Sequence, residues 1–301
     1  MALRLLRSVL GAARLPFLAL TPVSVALGAA ASAWAGSAVS PAVLVWVLAG
    51  ALAAHASVNL LNEWHDFRSG LDLCTTRTPF SGGSGALPAH PAAAPAVLAA
   101  GLGLLALAAG VGAALLVRHG WALLPLGLSG CVLVLAYTPW ITRHPWACLL
   151  APGVGFGPLV VGGTAVALTG SHVPGAYAAS IVPGALVSGL LLLNQFPDVE
   201  ADRRAGRRHL PLLRGRRWAA GLQAALLVAA FAALSLAVAT GVVPPGTGLA
   251  WLAAPLALRV ARGAWHDADD MAALPRVLAH NLALVLAMPL LMVVGGWLWP
   301  G

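Results

Sequence analysis

The sequence predicts an all-α protein, a polytopic membrane bundle of nine transmembrane helices forming a single domain over residues 1–301. Three observations lead there. Hydrophobic residues make up 60% of the 301 and charged residues only 9%, against roughly 25% charged in an average soluble domain. So few charges could not cover a soluble protein of this size, whereas a bilayer needs none. Apolar runs of about 20 residues, the length of a membrane span, recur along the whole chain with short polar segments between them. Finally, the charges sort to one side of the resulting plan.

The expected spans are 14–35, 41–63, 92–117, 121–141, 146–169, 175–197, 217–240, 247–263 and 275–298. Glycine and proline inside them are compatible with membrane helices. The basic, then apolar, start of the chain has the look of a signal peptide. Its apolar run continues past Thr21-Pro22, however, and reads as a first span. Arg4, Arg7 and Arg14 precede that span, and Arg68 and Arg77 follow the second. Arg143 follows the fourth, and the run Arg203 to Arg217 follows the sixth. Arg259, Arg262 and Arg276 flank the loop after the eighth. Sixteen of the 17 arginines fall on one side, with Arg118 opposite. The positive-inside rule makes that side the cytoplasm, with the N-terminus inside and the Trp297–Gly301 end outside.

The net charge of +8 comes from these arginines, with no lysine. Topology accounts for it, and no nucleic-acid partner is expected. Cys74, Cys131 and Cys148 have no metal-ligand spacing, and their odd number argues against a disulfide framework.

The nine acidic residues are concentrated in three of the cytoplasmic loops or the helix ends beside them. One group is Asn59-Leu-Leu-Asn62-Glu63-Trp-His65-Asp66, continuing to Gly70 and Asp72. Another is Asn194-Gln-Phe-Pro-Asp198-Val-Glu200-Ala-Asp202. Both contain Asn-x-x-x-Asp, a spacing that stacks side chains on one helix face. Four spans separate the groups, so both face one compartment and can converge on one cavity. Clustered carboxylates repel and tend to protonate unless a cation joins them. Oxygen-only ligands suit a hard cation such as Mg²⁺, which takes one or two carboxylates and completes its shell with water and phosphate oxygens. Asn62, Asp66, Asn194, Asp198 and Asp202 are the expected metal ligands, and two clusters suggest two ions sharing a diphosphate.

Arginines follow each group: Arg77 before a glycine-rich stretch, and Arg207-Arg208 after Gly206. Arginine binds phosphate oxygens bidentately, so Arg77, Arg207 and Arg208 are candidate diphosphate ligands, with Asp72 beside them. The rest of the run Arg203 to Arg217 reads as topology and contact with anionic lipid. Tyr137 and Arg143 either face the cavity or belong to the interface. Glu63 and Glu200 are either partners of a ligand or solvated. Asp267, Asp269 and Asp270 read as a polar loop, and His65, His90, His144 and His172 as loop or interface histidines.

At these residues the chain resembles the UbiA superfamily of membrane prenyltransferases. The motifs that carry the resemblance are Asn62-Glu-Trp-His-Asp66 with Gly70 and Asp72, Arg77-Thr-Pro-Phe-Ser-Gly, and Asn194-Gln-Phe-Pro-Asp198-Val-Glu-Ala-Asp202 with Ala205-Gly206-Arg207-Arg208. Arg14-Leu-Pro-Phe-Leu and Ala136-Tyr137-Thr-Pro139 also fit. Within the superfamily, Gly155-Phe-Gly-Pro-Leu-Val-Val-Gly-Gly163-Thr and the paired Asn-Glu and Asn-Gln motifs resemble the 1,4-dihydroxy-2-naphthoate polyprenyltransferases of menaquinone synthesis. The resemblance implies an all-helical fold with a central cavity in a bacterial inner (plasma) membrane. It also implies Mg²⁺, a polyprenyl diphosphate donor and a small aromatic acceptor. Asp66, Asp198, Asp202 and Arg77 would then be catalytic.

The departures are Glu63 for the usual Asp, Arg207-Arg208-His209 for Lys-Arg-Thr, Ala147-Cys-Leu-Leu150 without an expected acid, and Ala165-Val166 for a tyrosine pair. They bear on the acceptor, so 4-hydroxybenzoate, haem and chlorophyllide stay open as alternatives. A transporter is the non-enzymatic alternative. It is disfavoured because its polar sites would sit at mid-membrane in broken helices.

Overall fold

A computed structural model describes residues 2–73, 75 and 77–300. Cys74 and the terminal Gly301 lie outside the described residues. Among the described residues there are fourteen α-helices and no strands. They are α1 (Ala2–Ala12), α2 (Leu20–Trp34), α3 (Pro41–Arg68), α4 (Ala86–Ala89), α5 (Ala94–His119), α6 (Leu124–Ala136) and α7 (Pro145–Val154). There follow α8 (Gly163–Thr169), α9 (Pro174–Asn194), α10 (Val199–Arg204), α11 (Leu210–Arg214), α12 (Arg216–Ala239), α13 (Ala254–His266) and α14 (Leu274–Leu298).

Among the described residues, seven stretches are long and apolar enough to cross a membrane: Leu15–Trp34, Pro41–Arg68, Pro91–Arg118, Pro145–Thr169, Pro174–Asn194, Arg216–Ala239 and Leu274–Leu298. They coincide with seven of the nine expected spans. The other two expected spans are helical but fall short by these measures. The fourth is cut to Trp121–Ala136, because Pro139 follows and residues before proline avoid helix. The eighth begins as a 3₁₀ stretch, Pro245–Ala253, and its α-helical half carries Arg259 and Arg262.

Proline opens many of these helices at the first turn, including α3, α5, α9 and α14. Its missing N–H costs nothing there. Ser40 caps α3 by accepting from the Val43 amide, which supplies one of the orphan bonds of a helix start.

The core centres on α9, α12 and α14, with Leu186, Leu190, Leu193, Leu234, Leu278 and Met288 fully buried. Glycines let α7 and the stretch after it approach α9 closely. A Cβ on Gly153 would lie 2.4 Å from the Gly184 carbonyl oxygen, and one on Gly157 would lie 2.7 Å from that of Ser180. Such small-residue contacts are how membrane helices pack without a hydrophobic drive between them. Between α7 and α8 the helix widens into a π-helical stretch, Gly155–Gly162.

Candidate active site

The first polar group is an uninterrupted helix end. Asn59, Asn62, Glu63 and Asp66 all lie on α3, which continues to Arg68. Asn62 donates to Thr138 Oγ1 at 3.2 Å, and Asn59 to the Ala13 carbonyl at 2.9 Å. Glu63 is fully buried and does not face the cavity. Its two oxygens accept from the Ser84 amide at 3.1 and 3.0 Å and from the Ser84 hydroxyl, and Arg14 pairs with it at 3.4 Å.

The second polar group corrects one expectation. Asn194 and Asp198 do not stack on one helix face, because α9 ends at Asn194 and the chain turns through Gln195–Pro197. Asp198 is instead the N-cap residue of α10. The helical i,i+4 pair there is Asp198 and Asp202, with the Asp202 amide donating to the Asp198 carbonyl at 2.8 Å. Pro197 supplies the reason, since it cannot donate within a helix and disfavours one before it.

The two groups meet. Arg207 pairs with Asp66 of the first and, at 3.2 Å, with Asp202 of the second. His209 Nε2 lies 2.7 Å from the other oxygen of Asp202. Its Nδ1 accepts from the Leu212 amide at 3.3 Å, capping α11, so Nε2 carries the proton and donates to Asp202. Gly206, with φ +71°, turns the chain so that Arg207 points inward and Arg208 outward. The glycine-rich segment forms a second bridge. Its Gly82 amide donates to Asp198 Oδ2 at 3.1 Å while Ser84 is held by Glu63. Asp72 lies beneath Gly83, where a Cβ would sit 2.6 Å from Asp72 Oδ1.

A cavity of about 590 Å³ opens at this junction. Its polar end includes Arg14, Asn62, Asp66, Asp72, Tyr137, Asn194, Asp198, Asp202, Arg207 and His209. The rest is lined mainly by apolar and small residues of α3, α5 and α6 and the π-helical stretch. Of the expected site residues, Arg77, Arg143 and Arg208 are not brought to the cavity. All three are exposed, and the Arg77 guanidinium lies against Gly85. Arg14 and His209 are additions, and of the two readings open for Glu63 the solvated one fails, since it is buried against Ser84 and Arg14. Arg14 had a signal of its own in the Arg14-Leu-Pro-Phe-Leu motif, to which no role at the site was attached. His209 stood out as a departure from the family pattern.

Electrostatics mark the junction as a cluster of carboxylates that Arg207 compensates only in part. The Asp72 carboxyl is pushed up to about 7 by burial and by Glu63 and Asp66. Asp198 is likewise pushed up to about 7, by burial and then by Asp202. Burial opposes charge on Arg207, but Asp66 and Asp202 outweigh it and hold the guanidinium above its ordinary value. Asp72 Oδ2, Asn194 Oδ1 and Asp198 Oδ1 are buried and lack any hydrogen-bond partner. Buried acceptors in this state are costly, and three oxygens facing one cavity suit a hard cation. Among the described residues no three His, Cys, Asp or Glu side chains form a ready-made metal cage. Arg207, lying between Asp66 and Asp202, supplies the positive charge there instead.

The sequence pattern of one family, the UbiA prenyltransferase family, matches residues 21–285. The chain belongs to the UbiA prenyltransferase family. A curated relative is the 1,4-dihydroxy-2-naphthoate octaprenyltransferase of Bacillus subtilis (strain 168). It is 27% identical over 210 residues, 69% of this chain and 66% of that protein, so the match spans just under two thirds of the relative's length. The apo structure of a UbiA homolog from Aeropyrum pernix K1 superposes with a TM-score of 0.65 at 21% identity, covering 92% of this chain and 97% of that one. A UbiA homolog from Archaeoglobus fulgidus, bound to DMAPP and Mg²⁺, gives 0.60 at 15% identity, covering 97% and 98%. At these identities the likeness establishes the UbiA fold.

Proposed function

We propose that this protein transfers a polyprenyl group from an isoprenoid diphosphate to a small aromatic acceptor in a Mg²⁺-dependent reaction, with 1,4-dihydroxy-2-naphthoate as the favoured acceptor. One observation carries the reading: two polar helix ends far apart in sequence close on each other, through Arg207, at the polar end of a cavity that is otherwise apolar. The Archaeoglobus fulgidus homolog of the same fold binds DMAPP and Mg²⁺. The Bacillus subtilis relative acts on the naphthoate its name gives.

Asn62, Asp66, Asn194, Asp198 and Asp202 would hold Mg²⁺, two ions in all. Bound there, Mg²⁺ supplies charge neutralisation of the diphosphate oxygens. Arg207, already poised between the two aspartates, compensates the negative charge that grows on the leaving diphosphate as its C–O bond breaks. Arg14, at the cavity edge with Glu63 behind it, adds a second cation. Asp72 and Gly83 close the polar end. Apolar walls on α5 and α6 take the isoprenoid tail and keep water from the allylic carbon. Tyr137 sits at the boundary between the two environments. Arg77, Arg143 and Arg208 are exposed, which suits contact with lipid headgroups better than a place on the diphosphate.

In this reading all nine helical segments cross a bacterial plasma membrane. The N-terminus and the polar loops are cytoplasmic and the C-terminal end is outside. The test is transfer of label from a prenyl diphosphate into lipid-soluble product by the purified protein, with and without Mg²⁺ and across several acceptors. Transfer is expected only with Mg²⁺, and Asp198→Ala should abolish it while leaving membrane insertion intact. Full activity in that variant would refute the metal role.

A further inference from the structure

We propose that His55, Thr21 and Phe156 form the acceptor subsite, in which the His55 imidazole hydrogen-bonds a ring hydroxyl or carboxylate oxygen of the aromatic acceptor. The inference rests on the prenyl-transfer reading above and deepens it.

His55 lies on α3 on the same face as Asn59, Asn62 and Asp66, at spacings of four, three and four residues. It is seven residues before Asn62, hence about 10 Å deeper along the helix. All four side chains line the one cavity, but the wall around His55 is apolar, with Leu20, Ala51 and Val47 nearby in the lining. The ring is held on two sides. Thr21 Oγ1 lies 2.8 Å from Nδ1. The Phe156 ring meets the imidazole edge-on, with centroids 4.8 Å apart and planes at 78°. The remaining nitrogen, Nε2, is bonded to no described residue.

An ionisable side chain within a membrane span is expensive and marks a functional site by default. A tie between α2 and α3 would account for Nδ1, and such ties average about 0.6 kcal/mol in membranes. It would account neither for Nε2 nor for the aromatic ring set against the imidazole. Phe156 reaches His55 from the widened stretch Gly155–Gly162, and π-helical turns of this kind cluster at functional sites. The Thr21 hydroxyl can donate to Nδ1 or accept from it, so Nε2 can offer either a proton or a lone pair. That suits an acceptor bearing both hydroxyl and carboxylate oxygens. The ring would then lie between His55 and the diphosphate end, beside the allylic carbon.

The experiment measures steady-state kinetics of the purified full chain with a labelled prenyl diphosphate, using 1,4-dihydroxy-2-naphthoate and 4-hydroxybenzoate as acceptor probes, for the wild type, His55→Phe, His55→Gln and Thr21→Val. Equilibrium binding of the same probes is measured alongside. His55→Phe is expected to raise the acceptor KM and weaken acceptor binding about tenfold, the loss of one good hydrogen bond, while the donor KM stays within about twofold. His55→Gln should recover part of the loss, and Thr21→Val should fall between. An unchanged acceptor KM in both His55 variants, with only the melting temperature moved, would make the residue a helix tie and overturn the proposal. Donor and acceptor KM rising together would overturn it as well. Wild-type protein that prenylates neither probe but transfers label to an acceptor with no aromatic ring would also overturn this subsite while sparing prenyl transfer itself. Transfer to nothing would remove both.

Discussion

The two polar groups share the pattern Asn-x-x-x-Asp and are built in different ways. The first is a rigid helix end. Asn62 and Asp66 stand one turn apart on α3, with Glu63 tying the glycine-rich segment and Arg14 behind them. The second is a broken end, in which α9 stops at Asn194 and α10 starts after Asp198. It is stiffened by side chains, since Arg207 and His209 both bond Asp202. The same residue types at the same spacing can therefore be presented by continuous helix or by a proline-induced turn. What the two ends share is the direction of their oxygens, into one cavity.

Substitutions can break this comparison, and the largest effect should come at the residue joining the halves. Arg207→Ala leaves Asp66 and Asp202 buried and facing each other. Removing one partner of a buried pair costs about 3–5 kcal/mol, and loss of one group that stabilises developing charge costs about 10²–10³ in kcat. Thermal unfolding and turnover should both register it, and Mg²⁺ should restore part of the stability but little of the activity.

A smaller contrast is expected between two glycines. Gly83→Ala places a methyl against Asp72 at a positive φ of +74°, so both strain and collision act. Gly206→Ala, also at positive φ (+71°), meets nothing within 4 Å and pays about 1–2 kcal/mol for the backbone alone. Donor KM should rise in the Gly83 variant well beyond the rise in the Gly206 variant. Equal effects would mean that Asp72 does not shape the donor site.

The pH response sharpens the comparison further. Asp72 and Asp198 both titrate near 7 in the fold, against about 3.9 unfolded. The folded chain thus binds these protons more tightly than the unfolded one. Stability of the Mg²⁺-free protein should fall as pH rises from about 4 towards 7 and level off above that. Mg²⁺ binding, which displaces the protons, should stabilise more at pH 8 than at pH 5. Asp202→Asn removes a like charge that acts on Asp198 but is not among those raising Asp72, so it should weaken the half of this response that belongs to the second group. Melting temperatures at each pH, with and without Mg²⁺, provide the check. The smallest expected effect is that of Glu63→Asp, which shortens the reach to Ser84 and Arg14. It should cost about 1 kcal/mol through weakened hydrogen bonds and raise donor KM less than Gly83→Ala does, as kinetics and thermal unfolding would show.

Much of this was legible in the sequence. Apolar run length and arginine placement located the helices, and charge scarcity made every acid worth attention. The pairing of Asn62 with Asp66 followed directly from helical spacing. The break at Asn194 did not, although Pro197 stood in plain view, because the matching pattern invited a matching helix. Arg207 and Arg208 could not be told apart by type. Only the left-handed Gly206 between them and Ala205 decides which one turns inward. The ties from Gly82 to Asp198 and from Ser84 to Glu63 link residues 116 and 21 positions apart, and no local periodicity announces them. The fourth and eighth spans were recognised as helices, but proline and arginine shortened the part fit for a bilayer.

The uneven packing of the spans has a last consequence. Within its most apolar window α9 has 67% of its residues buried by protein, whereas the Pro91–Arg118 stretch containing α5 has 17%. One wall of the cavity is therefore braced from behind chiefly by hydrocarbon, and its spacing will follow the thickness and order of the acyl chains around it. A micelle that fits this wall badly would blunt turnover before it unfolded the α9 core, so the choice of lipid belongs among the reagents of any assay.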